Sequence, residues 1–422
     1  MDVQISSYRQ AEQRVEKLAR IRRDGREAGM DFARGPIAEY VDQLIETAVE
    51  YRASDIHVEP FQGKLRVRFR IDGRLEMLRE SLDLAVHPYL MGRLKVMAKI
   101  DTVERHTAQD GRIRFTRQNG EQLDIRLAIL PLLDGEKAVL RLLRRTDELL
   151  DVEKLDFSEE NKSRFLKLCH QKAGLILLAG PVNSGKTTTL YAALHEINTS
   201  DRNIMTIEDP PEYRLEGINQ IPVNKKAGMT YAVALKALLR ADIDAICLGE
   251  IRDIETAEIA VRAALTGHLL FSTVHTEDSL GAVYRLLDMG IPPYLVSASL
   301  RGILAQRLVR RLCPMCKEQD FRGLPPVLSR GEAPRAVFYR AKGCTACNGT
   351  GYIGRLALHE LLVIDEEIAI AIAERIRLDA LRTLARQKGL KVLAEDGMEK
   401  VYQGVTSADE ILQALYGGDA NG

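Results

Sequence analysis

Nine consecutive residues, Gly180, Pro181, Val182, Asn183, Ser184, Gly185, Lys186, Thr187 and Thr188, contain the spacing G-x-x-x-x-G-K-[ST]. Successive backbone N–H groups of such a loop, with the N-terminus of the helix after it, surround phosphate oxygens. Lys186 then reaches the β- and γ-phosphates, and the Thr187 hydroxyl ligates Mg²⁺. The spacing alone occurs by chance, so its flanks decide. An apolar run from Leu175 to Ala179 precedes it and a helical pattern from Thr187 through Ile197 follows it. That is the strand–loop–helix order the chemistry needs, and a chance glycine turn has no reason to carry both. Asn183 stands where such loops often have another glycine, and Asn tolerates positive φ.

Phosphate chemistry also needs carboxylates for metal and water. DAICLGE ends an apolar strand at Glu250, and TIEDPPEY supplies Glu208, Asp209 and Glu212 after another. Acids just beyond strand C-terminal ends sit where ligands bind in doubly wound sheets. Any one of them, taken alone, is equally well a solvated loop charge. His275 also falls at a strand end, although a lone His is more often structural.

Four of the six cysteines form two C-x-x-C pairs, Cys313 with Cys316 and Cys344 with Cys347, separated by 27 residues. Two such knuckles complete a tetrahedral Zn²⁺ site. A redox pair or disulfides are the alternatives, but no thioredoxin-like unit surrounds either motif and a cytoplasmic protein disfavours disulfides. Four thiolates leave no open coordination position, so the expected role is structural. Cys169 and Cys247 lie in apolar settings and read as small hydrophobes.

The elements that must hold these groups are spread over 422 residues, enough for two or three domains. Hydrophobic residues at 45% and charged residues at 28% are ordinary globular usage. Sixty basic residues balance sixty acidic ones, which disfavours a non-specific nucleic-acid binder. No apolar run is long enough for a transmembrane helix, and the N-terminus lacks the features of a secretory signal. Residues 1–35 are read as a solvated arm, with a docking helix on Tyr8, Ala11, Val15 and Leu18 as the alternative. Residues 36–145 mix an amphipathic helix (Ile37, Val41, Leu44, Ile45, Ala48) with alternating strands and an Asp72-Gly73 turn, predicting an α+β domain. Residues 146–163 are charged and weakly periodic, predicting a hinge. In 164–422 apolar strands alternate with helices, predicting a parallel α/β sheet. A cysteine-bearing subdomain is expected over 306–360 and a helical region over 361–417, with helix-like segments dominating from Arg301 onward. Arg66, Arg68 and Arg70 share one strand face, where no interleaved aromatic residue favours nucleic acid. Subunit contact or a solvated face fits them better, and Arg307, Arg310 and Arg311 are candidates for pairing with a neighbour's carboxylates.

Taken in order, these motifs resemble those of the type II secretion and type IV pilus assembly ATPases. The resemblance rests on ASDIHVEP (53–60), RVRFRIDGRL (66–75), the phosphate loop, TIEDPPEY (206–213), LGEIRD (248–253) and TGHLLFSTVHT (266–276). It continues through AQRLVRRLCPMC (305–316), GCTACNGTGYIGR (343–355) and DGMEKVYQGVTSADEIL (396–412). It implies a RecA-like P-loop ATPase domain behind an α+β N-domain, in a hexamer closing around Mg-ATP. Glu212 matches the catalytic glutamate, Glu250 the Walker B glutamate beside Mg²⁺, and His275 the histidine-box residue. Arg126 and Arg141 match N-domain arginines that approach the phosphates. The implied partners are five further copies and an inner-membrane platform protein, with no direct nucleic-acid binding, and the implied location is the cytoplasmic side of the bacterial inner membrane.

Departures are local: Asp242-Ile243-Asp244 replaces Asp-Pro-Asp, Ala108 replaces a proline, and Glu277-Asp278 stands where Asn is usual. About 35 residues precede the N-domain, where many assembly ATPases carry an additional domain. A pilus retraction or DNA-uptake motor is the near alternative, disfavoured by the four cysteines. A non-hydrolysing nucleotide scaffold is the distant one, disfavoured by Lys186, Glu212 and Glu250.

Overall fold

The computed structural model describes residues 8–14, 35–143, 150–325, 327–328 and 337–417. It divides into two compact units, residues 1–145 and 146–422.

In the first unit, α1 (Pro36–Glu50) begins with proline at its first turn, where no N–H partner is required, and buries Ile37, Val41, Leu44, Ile45 and Ala48. Six strands follow: β1 (Ala53–Phe61), β2 (Lys64–Ile71), β3 (Arg74–Asp83), β4 (Gln109–Thr116), β5 (Gln122–Leu132) and β6 (Gly135–Leu143). A helix, α2 (His87–Ala98), comes between β3 and β4. They pair antiparallel in the order β3-β2-β1-β6-β5-β4. Asp72 and Gly73 both have positive φ, as the tight hairpin turn requires. Period-two alternation sends Leu65, Val67 and Phe69 into the core with Ile125, Leu127 and Leu140.

The opposite sheet face carries the arginines, and they are paired within the unit. Arg66 and Arg68 reach Glu59 at 2.9 and 2.5 Å, and Lys137 reaches the same carboxylate at 2.8 Å. Asp55 takes Arg141 at 3.0 Å and Arg70 at 3.8 Å. The expected solvated or intersubunit face is thus a buried-carboxylate network. Neighbouring strands supply the acids that a single-strand pattern cannot display.

Residues 8–14 are helical, with Tyr8 and Ala11 in the same core and the Tyr8 hydroxyl 2.9 Å from that of Tyr40. This stretch is docked, against the solvated-arm expectation; Val15 and Leu18 lie outside the described residues. The anchor is a partner 32 residues away, which local composition does not reveal.

The second unit is built on seven strands: β7 (Gly174–Ala179), β8 (Ile204–Glu208), β9 (Asn219–Pro222), β10 (Ala245–Leu248), β11 (Leu269–Val274), β12 (Leu300–Leu312) and β15 (Tyr352–Val363). A two-stranded pair, β13 (Glu318–Gln319) and β14 (Tyr339–Arg340), stands apart. The sheet order is β15-β12-β7-β11-β10-β8-β9, parallel except for the β12–β15 ribbon. Successive residues of β7 feed opposite cores. Leu175, Leu177 and Ala179 face one, and Ile176 and Leu178 the other. Burial on both faces explains the continuous apolar run.

The helices are α3 (Glu159–Cys169), α4 (Lys186–Ile197), α5 (Tyr231–Leu238), α6 (Ile254–Leu265), α7 (Ser279–Asp288), α8 (Pro293–Ser299), α9 (Glu366–Ala373), α10 (Leu378–Gln387), α11 (Leu393–Tyr402) and α12 (Ala408–Tyr416). Among the described residues, no helix is long and apolar enough to cross a membrane.

Two expectations are corrected here. Residues 146–149 of the expected hinge lie outside the described residues, but Val152 and Leu155 are buried in the second unit's core and Phe157 stacks on His359 at 3.9 Å. The stretch from 150 onward is therefore packed. Sparse apolar residues among charges suffice because each one is inserted singly.

Residues 300–312 and 352–363, expected as helix-like, are the longest strands of the sheet. Leu304, Leu308 and Leu312 recur at helical spacing, yet pairing with β7 and β15 overrides that period. Two of the three arginines in the basic cluster on β12 have carboxylate partners within the chain, and Arg307 donates to the carbonyls of Gln306 and Glu277. Arg310 pairs with Glu410 at 2.7 Å and Arg311 with Asp156 at 2.5 Å.

Candidate active site and metal centre

β7 ends at Ala179 and the phosphate loop follows, with Gly180, Asn183 and Gly185 all at positive φ. A Cβ on Gly180 would lie 2.5 Å from Ser184 Oγ and 2.6 Å from the Gln306 carbonyl oxygen, so only glycine fits. Pro181, Val182 and Asn183 are exposed at the loop's crest, Ser184 is buried, and Thr187 and Thr188 are half-buried on the first turn of α4.

Lys186 is buried, and its Nζ donates to the carbonyls of Gly180 and Pro181, both at 2.7 Å. Burial lowers its pKa to about 8; the Arg307 charge adds to this and Glu250 opposes it. A buried cation folded onto the loop's own carbonyls, under a glycine cradle with no room for a Cβ, fits a polyphosphate site.

Glu250 follows β10 and is largely buried. Its carboxylate receives Arg252 Nε at 2.5 Å and lies 3.4 Å from Nε2 of His275, which follows β11. Because β7, β11 and β10 are adjacent and parallel, Lys186, His275 and Glu250 gather beyond the C-terminal ends of these central strands. The loop after β10 is fixed from both sides: Gly249 N–H donates to Ile207 O, and Thr273 Oγ1 donates to Gly249 O.

The acids after β8 divide by environment. The buried Glu208 carboxylate accepts from the Tyr191 hydroxyl, from Thr206 Oγ1 at 2.5 Å and from Gln220 Nε2 at 3.2 Å. Three donors hold it in place, so it is an anchor. Asp209 is exposed, 3.8 Å from Lys225. Glu212 is also exposed, and its N–H donates to the Tyr191 hydroxyl at 3.3 Å, which ties its loop to α4. Tyr191 was not legible as a site residue. Its only signal is a phenol on the helix that the phosphate loop opens.

In the first unit, Arg126 and Arg141 face each other on β5 and β6. Arg141 Nε donates to Asp55 at 3.0 Å.

The four cysteine sulfurs converge, all lying within 4.8 Å of one another. Cys313 and Cys344 are 3.9 Å apart, and Cys347 is 3.7 Å from both Cys316 and Cys344. A Zn–S bond of about 2.3 Å requires a tetrahedron edge of about 3.8 Å. Burial raises the Cys347 thiol pKa, but N–H groups of Cys344 and Gly351, each 3.1 Å from its sulfur, and the neighbouring Cys344 and Cys316 thiols outweigh that and lower it, whereas burial pushes the Cys316 thiol up. Four sulfurs converging at tetrahedral spacing are the donor set Zn²⁺ takes.

The sequence profile described as Type II/IV secretion system protein matches residues 31–413. The chain belongs to that family. Type II secretion system protein E of Dickeya dadantii is 47% identical over 381 residues, covering 90% of this chain and 75% of that one. Type II secretion system ATPase E of Vibrio cholerae is 45% identical, with coverages of 90% and 75%. Type IV pilus assembly ATPase PilB of Thermus thermophilus is 44% identical over 89% of this chain and 42% of its own. Among solved structures, the pilus retraction motor PilT with bound ADP superposes with a TM-score of 0.61 at 26% identity, covering 88% of this chain and 96% of that one. This type II/IV secretion family protein is accordingly an ATPase, and its family implies nucleotide and Mg²⁺.

Proposed function

We propose that the chain is the assembly motor of a type II secretion pseudopilus or a type IV pilus, working as a hexamer on an inner-membrane platform protein from the cytoplasmic side. One observation carries the catalytic part of this reading: the phosphate loop, Glu250 and His275 occupy the ends of three adjacent strands. In it, the N–H groups of residues 182–188 and the Lys186 ammonium hold the β- and γ-phosphates, while Thr187 and Glu250 hold Mg²⁺. The ion offsets charge on the phosphoryl group. Glu212 orients water and takes its proton. His275, already beside Glu250, reports nucleotide state, and Arg126 and Arg141 add positive charge to the transferred group. Cys313, Cys316, Cys344 and Cys347 hold a structural Zn²⁺. The four-cysteine cluster favours assembly over retraction.

Light scattering of the purified protein with Mg-ADP tests the assembly state: six times the 47.2 kDa chain is expected. A monomer that retains full turnover would overturn the hexamer reading. Co-expression with a platform protein, followed by detergent extraction, should retain that protein on the tagged ATPase.

A pH dependence follows from Lys186. Its pKa of about 8 in the free protein lies below the ordinary 10.5. The fold therefore disfavours the ammonium, a cost that is fully present below pH 8 and relieved as pH rises from 8 towards 10.5. Phosphate needs the ammonium, so Mg-ADP binding should take up a proton above pH 8. Calorimetry should find the affinity roughly tenfold weaker at about pH 9 than at about pH 7. Equal affinities would mean that Lys186 keeps its proton throughout.

A further inference from the structure

We infer that Gln306, on β12, is a positioning residue that braces the phosphate loop against collapse. The inference deepens the nucleotide-site reading and rests on it. Pairing of Ala305 with Ala179 brings Gln306 alongside the point where β7 gives way to the loop. There it meets the loop twice and the helix after it once. Its carbonyl oxygen closes the space beside Gly180, and its side-chain nitrogen lies 2.7 Å from where a Cβ on Gly185 would stand. Its Oε1 accepts from Thr189 Oγ1 at 2.8 Å, one turn into α4. Both partners are sealed from solvent, Gln306 at 2% exposure and Thr189 at 0%.

The first glycine is therefore referenced to the Gln306 backbone, and the last glycine and the first turn of the helix to its side chain, all from one residue on a neighbouring strand. A phosphate loop works by holding several N–H groups convergent before the ligand arrives, and a fixed wall supplies that preorganisation. A fully buried amide would otherwise be a costly choice. Gln306 lies in AQRLVRRLCPMC (305–316), but no role of its own is legible in that sequence. Its role is fixed by β12 lying beside β7, whereas Glu250 and His275 lie on the other side of that strand.

The experiment compares the full-length protein with Gln306→Met, Thr189→Val, the double variant and Thr189→Ser, by calorimetric Mg-ADP binding and steady-state ATP kinetics. Methionine keeps the length and valine the shape, and each removes the bond. Each single variant should weaken Mg-ADP about tenfold, from one buried partner left unpaired. KM should rise more than kcat falls, the double variant should be no weaker than the poorer single, and Thr189→Ser should recover most of the affinity.

If Gln306→Met does not fold, the Thr189 pair still reads the same bond. Affinities within twofold of wild type in Thr189→Val, or losses that multiply in the double variant, would overturn the brace. Lys186→Ala serves as the control. If it also leaves Mg-ADP affinity unchanged, the nucleotide-site reading itself has failed, and the brace with it.

Discussion

Replacement of Glu212 by Gln should reduce ATP turnover by about 10²- to 10⁴-fold while leaving nucleotide binding close to wild type. The amide keeps the size of the side chain and removes its ability to accept a proton from water. Glu212 is chosen over its neighbour on structural grounds. Glu208 is buried under three hydrogen-bond donors, whereas Glu212 stands exposed on a loop pinned by Tyr191. Glu208→Gln should therefore disturb the loop and lower stability, a different signature from a stable, binding-competent, inactive protein. Lys186→Ala provides the contrast, losing binding and turnover together because its charge acts on bound phosphate and transition state alike. Steady-state rates with parallel binding isotherms separate the two. Equal turnover in wild type, Glu212→Gln and Lys186→Ala would refute the site assignment.

The second large effect lies at the cysteines. Protein purified under reducing conditions should carry one zinc per chain, and Cys344→Ser should lose it. A structural zinc contributes an apparent ~10–16 kcal/mol to the folding of small zinc domains. Its loss here should unfold the residues around the cluster, not merely trim stability. The expected result is a large fall in melting temperature with new protease cleavage inside residues 306–360. The ligand set is closed, so ATP chemistry should suffer only through the structure. Zinc-free protein, or a Cys344→Ser variant melting like wild type, would remove the metal from the account.

Chemistry-bearing residues were readable wherever chemistry imposes fixed spacing. The phosphate loop and its flanking strand and helix, the acids at strand ends and the paired C-x-x-C motifs all express local rules. The alternating strands of the first unit and the α1 stripe were readable for the same reason. Groups that act through long-range pairing were not. Gln306 and Tyr191 meet their partners only after β12 lies beside β7 and after β8 lies across from α4. Arg66, Arg68 and Arg70 looked unpartnered because Glu59 and Asp55 sit on another strand. The leucines of β12 followed a helical period that sheet pairing overruled, and Tyr8 showed its docking only through Tyr40.

β12 has one further consequence. Gln306 near its middle presses on the phosphate loop, and Cys313 directly follows its last residue, with a bulge between Arg310 and Leu312 in its pairing with β15. Because alternate side chains on a strand point to opposite sides, the interval between these two residues behaves like a ruler of fixed length. Deleting a single residue from that interval would turn either the thiol or the amide to the wrong side. The distance is thus dictated twice over, once by phosphate and once by sulfur.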